Sequence, residues 1–150
     1  METPQLNSLY QQLILEHYKS PRNKGDLEDR TVEVHMANPV CGDEIKLQLR
    51  IAGDTIESAK FVGQGCSISQ ASVSIMTTLL EGSSLADAEG LADRFTAVMH
   101  GDAEAARDRA LGDLRALQGV SKFPVRVKCA LLGFDALREA LKRSAAEPAN

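Results

Sequence analysis

Three cysteines and one aspartate stand out among the 150 residues for what their types and placement could do. Cys41 lies in Asn38-Pro39-Val40-Cys41-Gly42-Asp43, a turn signal between two strand-like runs. Cys66 lies in Gly63-Gln64-Gly65-Cys66-Ser67, between a strand and a helix, and Cys129 lies in the early turns of the last helix. Each cysteine therefore falls at an element boundary or near a helix N-terminus. Helix N-terminal N–H groups and the helix dipole favour a thiolate there. Glycines at 42, 63 and 65 let backbone approach a small site closely. Asp43, two residues after Cys41, can point to the same side. Three thiolates and one carboxylate complete a tetrahedral set for zinc and leave it net negative, which Arg126, Lys128 or Lys60 could offset. The competing reading is that all three cysteines are small buried apolar residues, the commonest use of a free cysteine. Two features weigh against it. None of the three occupies the middle of an apolar strand stripe, and the aspartate is close by. Spacing alone is a modest signal, because no paired C-x-x-C exists.

The elements that must bring these residues together follow from periodicity. Leu6, Leu9, Tyr10, Leu13, Ile14 and His17 recur at helical spacing, and Pro21, Asn23 and Gly25 stop that helix. Residues 18–25 form a basic turn. Val32, Val34 and Met36 alternate with Glu33 and His35; Ile45, Leu47, Leu49 and Ile51 alternate with Lys46, Gln48 and Arg50. Gly53-Asp54 suits a tight hairpin into a third strand over Thr55 to Val62. Ile68, Ala71, Ile75 and Leu79 mark a helix, and Ser84 with Asp87 opens another that ends near His100-Gly101. Leu111, Leu114 and Leu117 indicate a third helix in this half. Pro124 starts the last one, with the stripe Val127, Leu131, Phe134, Leu137 and Leu141. Strands first and helices after them predict an α+β fold: a three-stranded antiparallel sheet covered on one face by helices, the last of them long. The expected organisation is a single domain over 1–143 with a flexible tail over 144–150.

Four segments resemble the SufU-type proteins of iron–sulfur cluster assembly, within the wider IscU-like (NifU N-terminal) group. They are LILEHYKSPRNKG (13–25), NPVCGD (38–43), GQGCSISQAS (63–72) and VRVKCALLGFDAL (125–137), in family order and spread over nearly the whole chain. The resemblance implies a SufE/NifU-like sheet-and-helix fold and a zinc site made by Cys41, Asp43, Cys66 and Cys129. It implies transfer of sulfur from a PLP-dependent cysteine desulfurase of the SufS type, passed on to a downstream Suf cluster scaffold. It further implies that Cys41 is the released acceptor, with a partner histidine taking its place on zinc. Cluster-building scaffolds of the IscU type carry His immediately before the last cysteine; here that residue is Lys128, which cannot serve as a routine metal ligand. The segment between Cys66 and Cys129 is also longer, around 101–122. Both departures look like SufU, and the scaffold role with a bound iron–sulfur cluster is the alternative. A third reading is a structural zinc protein that activates a partner. Arg126, one helical turn before Cys129, is a candidate hydrogen-bond donor to Asp43 or a ligand sulfur, with a solvated surface arginine as the competing reading.

Composition closes off other classes. Seventeen basic against 21 acidic residues give a net charge of −4, which argues against nucleic-acid binding. Four Phe, two Tyr and no Trp leave few stacking platforms for single strands. No run approaches the roughly 20 apolar residues of a membrane span, and no signal-peptide pattern opens the chain. A reducing cytoplasm is the expected compartment. His17 falls on an apolar helix face and is expected as a packed core residue; His35 alternates to the polar side of its strand; His100 sits near a helix C-terminus. The basic turn 18–25 reads either as a docking edge for the desulfurase or as a solvated turn.

Overall fold

The structure, a computed structural model, describes residues 4–40 and 42–146. Helix α1 (Pro4–Lys19) leads into strands β1 (Val32–Asn38), β2 (Asp43–Ala52) and β3 (Thr55–Gln64). These form one antiparallel sheet in the order β1-β2-β3. Helices α2 (Ser67–Leu80) and α3 (Leu85–Met99) follow, then two 3₁₀ segments (Ala105–Arg107 and Arg109–Lys122) and α4 (Pro124–Ala146). This is the predicted α+β architecture, with a long last helix. Helix α4 runs through residues 144–146 of the expected tail, and 147–150 lie outside the described residues.

Alternation in β2 is what makes the sheet one-sided. Ile45, Leu47 and Leu49 are fully buried, joined by Val34 from β1 and by Ala59 and Phe61 from β3. Burying that face against helices removes a continuous apolar surface from water. Helix α4 lies against β1 and β2, and α2 against β3 and α4. Helices α1 and α3 pack outside these two. Phe95 of α3 meets Phe134 of α4 with ring centroids 4.7 Å apart. The hairpin turn is the expected Gly-first kind: Ala52 pairs with Thr55 across two residues, and Gly53 takes φ 62°. The Ser84 hydroxyl accepts the Asp87 N–H and starts α3 as predicted.

The region expected as a third α-helix is 3₁₀ instead. Leu111, Leu114, Leu117 and Val120 are all buried and recur every three residues. Side chains at i and i+3 eclipse in a 3₁₀ helix, so this spacing puts Leu114, Leu117 and Val120 on one line. Gly112 interrupts the segment at φ 51°, ψ −130°. No described helix is long and apolar enough to cross a membrane.

Candidate metal centre

One end of the sheet gathers three of the predicted residues, Asp43, Cys66 and Cys129. Asp43 is the first residue of β2, opposite Asn38 of β1 in the antiparallel register. The connecting turn is closed by the Gly42 N–H on the Asn38 carbonyl (2.9 Å) and by the Val40 N–H on Asn38 Oδ1 (3.2 Å). Gly42 holds φ 71°, in the left-handed region that suits glycine. Cys41 sits in this turn and lies outside the described residues.

At the same end, β3 leaves the sheet through Gly65 and enters α2 with Cys66 as the N-cap. The Cys66 N–H donates to Asp43 Oδ1 at 2.9 Å, and its thiol lies 3.9 Å from Asp43 Oδ2. Only glycine fits at 65. An added Cβ would lie 2.2 Å from Asp43 Oδ1, and φ is +148°. Cys129 is the sixth residue of α4, fully buried, with its sulfur 3.8 Å from the Val125 carbonyl oxygen. It reaches the site because α4 packs across the sheet beside α2. Their close approach is set by Gly133, whose added Cβ would come within 3.1 Å of Val73.

One ligand atom each from Asp43, Cys66 and Cys129 lies within 4.8 Å of the others. Zinc bonds of about 2.3 Å to sulfur and 2.0–2.2 Å to oxygen place tetrahedral donors about 3.5–3.8 Å apart. The Cys66–Asp43 separation of 3.9 Å is already close to that, and the rest of the set needs to contract by no more than about an ångström. Two soft sulfurs and a carboxylate, with a third cysteine in the adjoining turn, fit a divalent cation. Of the residues expected at the site, the structure brings Asp43, Cys66 and Cys129 together. Arg126 is exposed on the first turn of α4; its N–H donates to the Phe123 carbonyl (2.8 Å), and its guanidinium makes none of the hydrogen bonds or ion pairs found among the described residues. Lys128 is exposed, as are the apolar neighbours Val40, Phe123 and Val125.

Behind Cys66 lies a polar layer that sequence reasoning missed. The Ser69 N–H donates to Cys66 Sγ (3.4 Å), and the Ser69 hydroxyl donates to the Cys66 carbonyl (3.1 Å). Gln70 Nε2 donates to Ser69 Oγ (3.2 Å). Both residues are buried, and Gln70 Oε1 has no partner. The signal available in the sequence was the Cys66-x-x-Ser69 spacing, which matches an N-cap and its third helical residue.

The histidines lie elsewhere. His17 is buried, with Nδ1 2.8 Å from Ser74 Oγ, and burial pushes its pKa down, helped by the Arg22 charge. His35 is exposed, 3.6 Å from Glu44. The basic turn is stitched into the fold. The Arg22 N–H donates to Ser74 Oγ (2.8 Å), Asn23 Nδ2 to Thr77 Oγ1 (3.2 Å), and Phe61 N–H to the Asn23 carbonyl (3.0 Å).

A βββ sheet backed by helices, with thiols and a carboxylate converging at one end, defines a class. The chain belongs to the NifU-like N-terminal domain family, whose model matches residues 9–144. Within that family it is SufU/IscU-like. It is 49% identical over 138 residues to the zinc-dependent sulfurtransferase SufU of Bacillus subtilis (strain 168), covering 92% of each chain. It is 43% identical to the iron–sulfur cluster assembly scaffold protein IscU of Streptococcus pyogenes serotype M1, covering 97% of this chain and 90% of that one. A crystal structure described as a SUF-system scaffold protein from Fervidobacterium islandicum AW-1 superposes with a TM-score of 0.82 at 32% identity, covering 90% of this chain and 98% of that one.

Proposed function

We propose that this chain is a zinc-containing sulfur acceptor and carrier in iron–sulfur cluster assembly. It takes persulfide sulfur from a PLP-dependent cysteine desulfurase of the SufS type and hands it to a downstream Suf scaffold. The observation that carries the reading is the convergence of Asp43, Cys66 and Cys129 within 4.8 Å beside the Cys41 turn. The likeness to a relative named as a zinc-dependent sulfurtransferase supports it.

Cys41, Asp43, Cys66 and Cys129 are the residues that would hold the cation. When bound, zinc keeps its cysteines deprotonated at neutral pH and tempers their nucleophilicity. The remaining chemistry belongs to the chain. Asp43 and Cys66 are tied to each other by the 2.9 Å N–H···Oδ1 bond, and Cys129 is enclosed in α4, so these three stay in place. Cys41 sits in a glycine-flanked turn, where movement costs least. Its thiolate attacks the outer sulfur of the donor's persulfide. The donor S–S bond breaks and its cysteine leaves as a thiolate. A new S–S bond forms on Cys41, and no outside oxidant or reductant is consumed. Arg126, three residues before Cys129, is available to donate to Asp43 or to a ligand sulfur when the site is loaded.

The test is mass spectrometry after incubation with desulfurase and cysteine. The reading requires an adduct of about 32 Da, one sulfur atom, on Cys41, absent from Cys41→Ala. Acceptance that persists in Cys41→Ala would overturn it. The second reading, a scaffold that builds a cluster, is favoured by the likeness to the streptococcal scaffold protein. It requires a cluster that forms on the protein after anaerobic reconstitution and transfers intact to an apo-acceptor.

A further inference from the structure

Burial explains why Cys129 would stay silent during sulfur loading, but it does not explain Cys66. Cys66 is only half-buried, at the rim of the same site. We propose that Ser69 and Gln70 are a positioning pair that fixes Cys66 as the stationary sulfur and so confines loading to Cys41. The proposal rests on the sulfur-acceptor reading above and deepens it.

Every polar atom of Cys66 is already held. Its N–H is given to Asp43 Oδ1, and its carbonyl takes both the Ser69 hydroxyl and the Gln70 N–H (3.2 Å). Its sulfur takes the Ser69 N–H. That N–H lies in the first turn of α2, where no carbonyl one turn back is available to it. Swinging the Cys66 side chain outward to attack a donor would strip the N–H of its acceptor, and Ser69 is fully buried, so water does not replace it. Gln70 completes the device. Its Nε2 fixes the direction of the Ser69 hydroxyl, and the hydroxyl fixes the Cys66 carbonyl. A buried apolar side chain of similar volume would leave no orphan, yet Gln70 Oε1 is left without a partner. The donor end of the amide is therefore the part of Gln70 that the site uses. Among the described residues, the turn on either side of position 41 is closed by the two Asn38 bonds.

The experiment compares wild type, Ser69→Ala, Gln70→Met and Ser69→Thr in two arms. The first maps sulfane sulfur by peptide mass spectrometry after incubation with desulfurase and cysteine. Wild type should carry it on Cys41; Ser69→Ala and Gln70→Met should raise the share on Cys66 about three- to tenfold, the effect of losing one hydrogen bond. Ser69→Thr, which keeps the hydroxyl, should restore the wild-type distribution. The second arm needs no sulfur transfer. In chelator-treated protein, alkylation of Cys66 by iodoacetamide should accelerate relative to Cys41 by a similar factor in the same two variants and not in Ser69→Thr. A role confined to folding would lower the melting temperature and total loading without shifting the ratio between cysteines. Unchanged ratios in both arms for Ser69→Ala and Gln70→Met overturn the proposal. Absence of sulfur on every cysteine of wild type overturns the acceptor reading instead, and the alkylation arm still decides whether the pair positions Cys66.

Discussion

Replacing Gly65 with alanine should dismantle the site while changing one methyl group. The added Cβ would lie 2.2 Å from Asp43 Oδ1 and 2.9 Å from Asp43 Cα, so the aspartate and the strand end beneath it must both move. Two effects add. The φ of +148° is one that an L-residue rarely adopts, which costs about 1–3 kcal/mol. Moving Asp43 also breaks its bond to the Cys66 N–H, a charge-assisted bond worth about 1.5–3 kcal/mol. The expected loss is about 2.5–6 kcal/mol, which for a chain of this size lowers the melting temperature by about 5–24 °C. Because the displaced oxygen belongs to a candidate ligand, zinc affinity should fall by about 10- to 100-fold. Urea unfolding with chelator present reads the first quantity, and competition against a chromophoric chelator reads the second. If Gly65→Ala unfolds within about 0.5 kcal/mol of wild type and binds zinc equally well, Asp43 does not occupy the position that the site argument requires.

Gly133→Ala sets two effects against each other: alanine gains about 1 kcal/mol of helix propensity, but a Cβ 3.1 Å from Val73 costs about 1–3 kcal/mol of overpacking. A net loss of about 1 kcal/mol in urea unfolding is expected, and a gain would show that α2 and α4 have slack between them. Burial pushes the His17 pKa down, so as pH falls the unfolded chain takes up a proton first, near the ordinary value of 6.5. Its contribution is therefore fully present above that pH and is lost as pH falls toward the lower folded value. Urea midpoints of wild type should decline as pH falls through the ordinary histidine range, and His17→Phe should flatten that decline. An identical slope in the variant would place the titration elsewhere.

Much of the scaffold was legible because single periods decided it. The alternation of Ile45, Leu47 and Leu49 fixed which face of β2 is buried, and Ser84 with Asp87 fixed where α3 starts. Two errors have physical causes. Leu111, Leu114 and Leu117 are compatible with an α-helix only loosely, and their strict three-residue step belongs to a 3₁₀ segment. Gln48 alternates to the polar side of β2 yet is fully buried, because the Asp26-Leu27 loop folds over it. The Leu27 N–H donates to Oε1 (2.5 Å), and Nε2 donates to Asp26 (3.1 Å) and Glu33 (2.9 Å). Long-range loop contacts of that kind leave no periodic trace. At the site, Asp43 and the two described cysteines were readable from type and placement. The Ser69–Gln70 layer was not, since serine and glutamine in a helix usually face water. The same limit applies to the basic turn, whose attachment to Ser74, Thr77 and Phe61 is a tertiary event.

Metal content bears most directly on the central claim that Asp43, Cys66 and Cys129, with Cys41, bind one divalent cation. Elemental analysis of protein purified without chelator should find about one zinc per chain in wild type and a small fraction of that in Asp43→Ala and Cys66→Ser. Wild type without bound metal, or the two variants retaining as much as wild type, would contradict it.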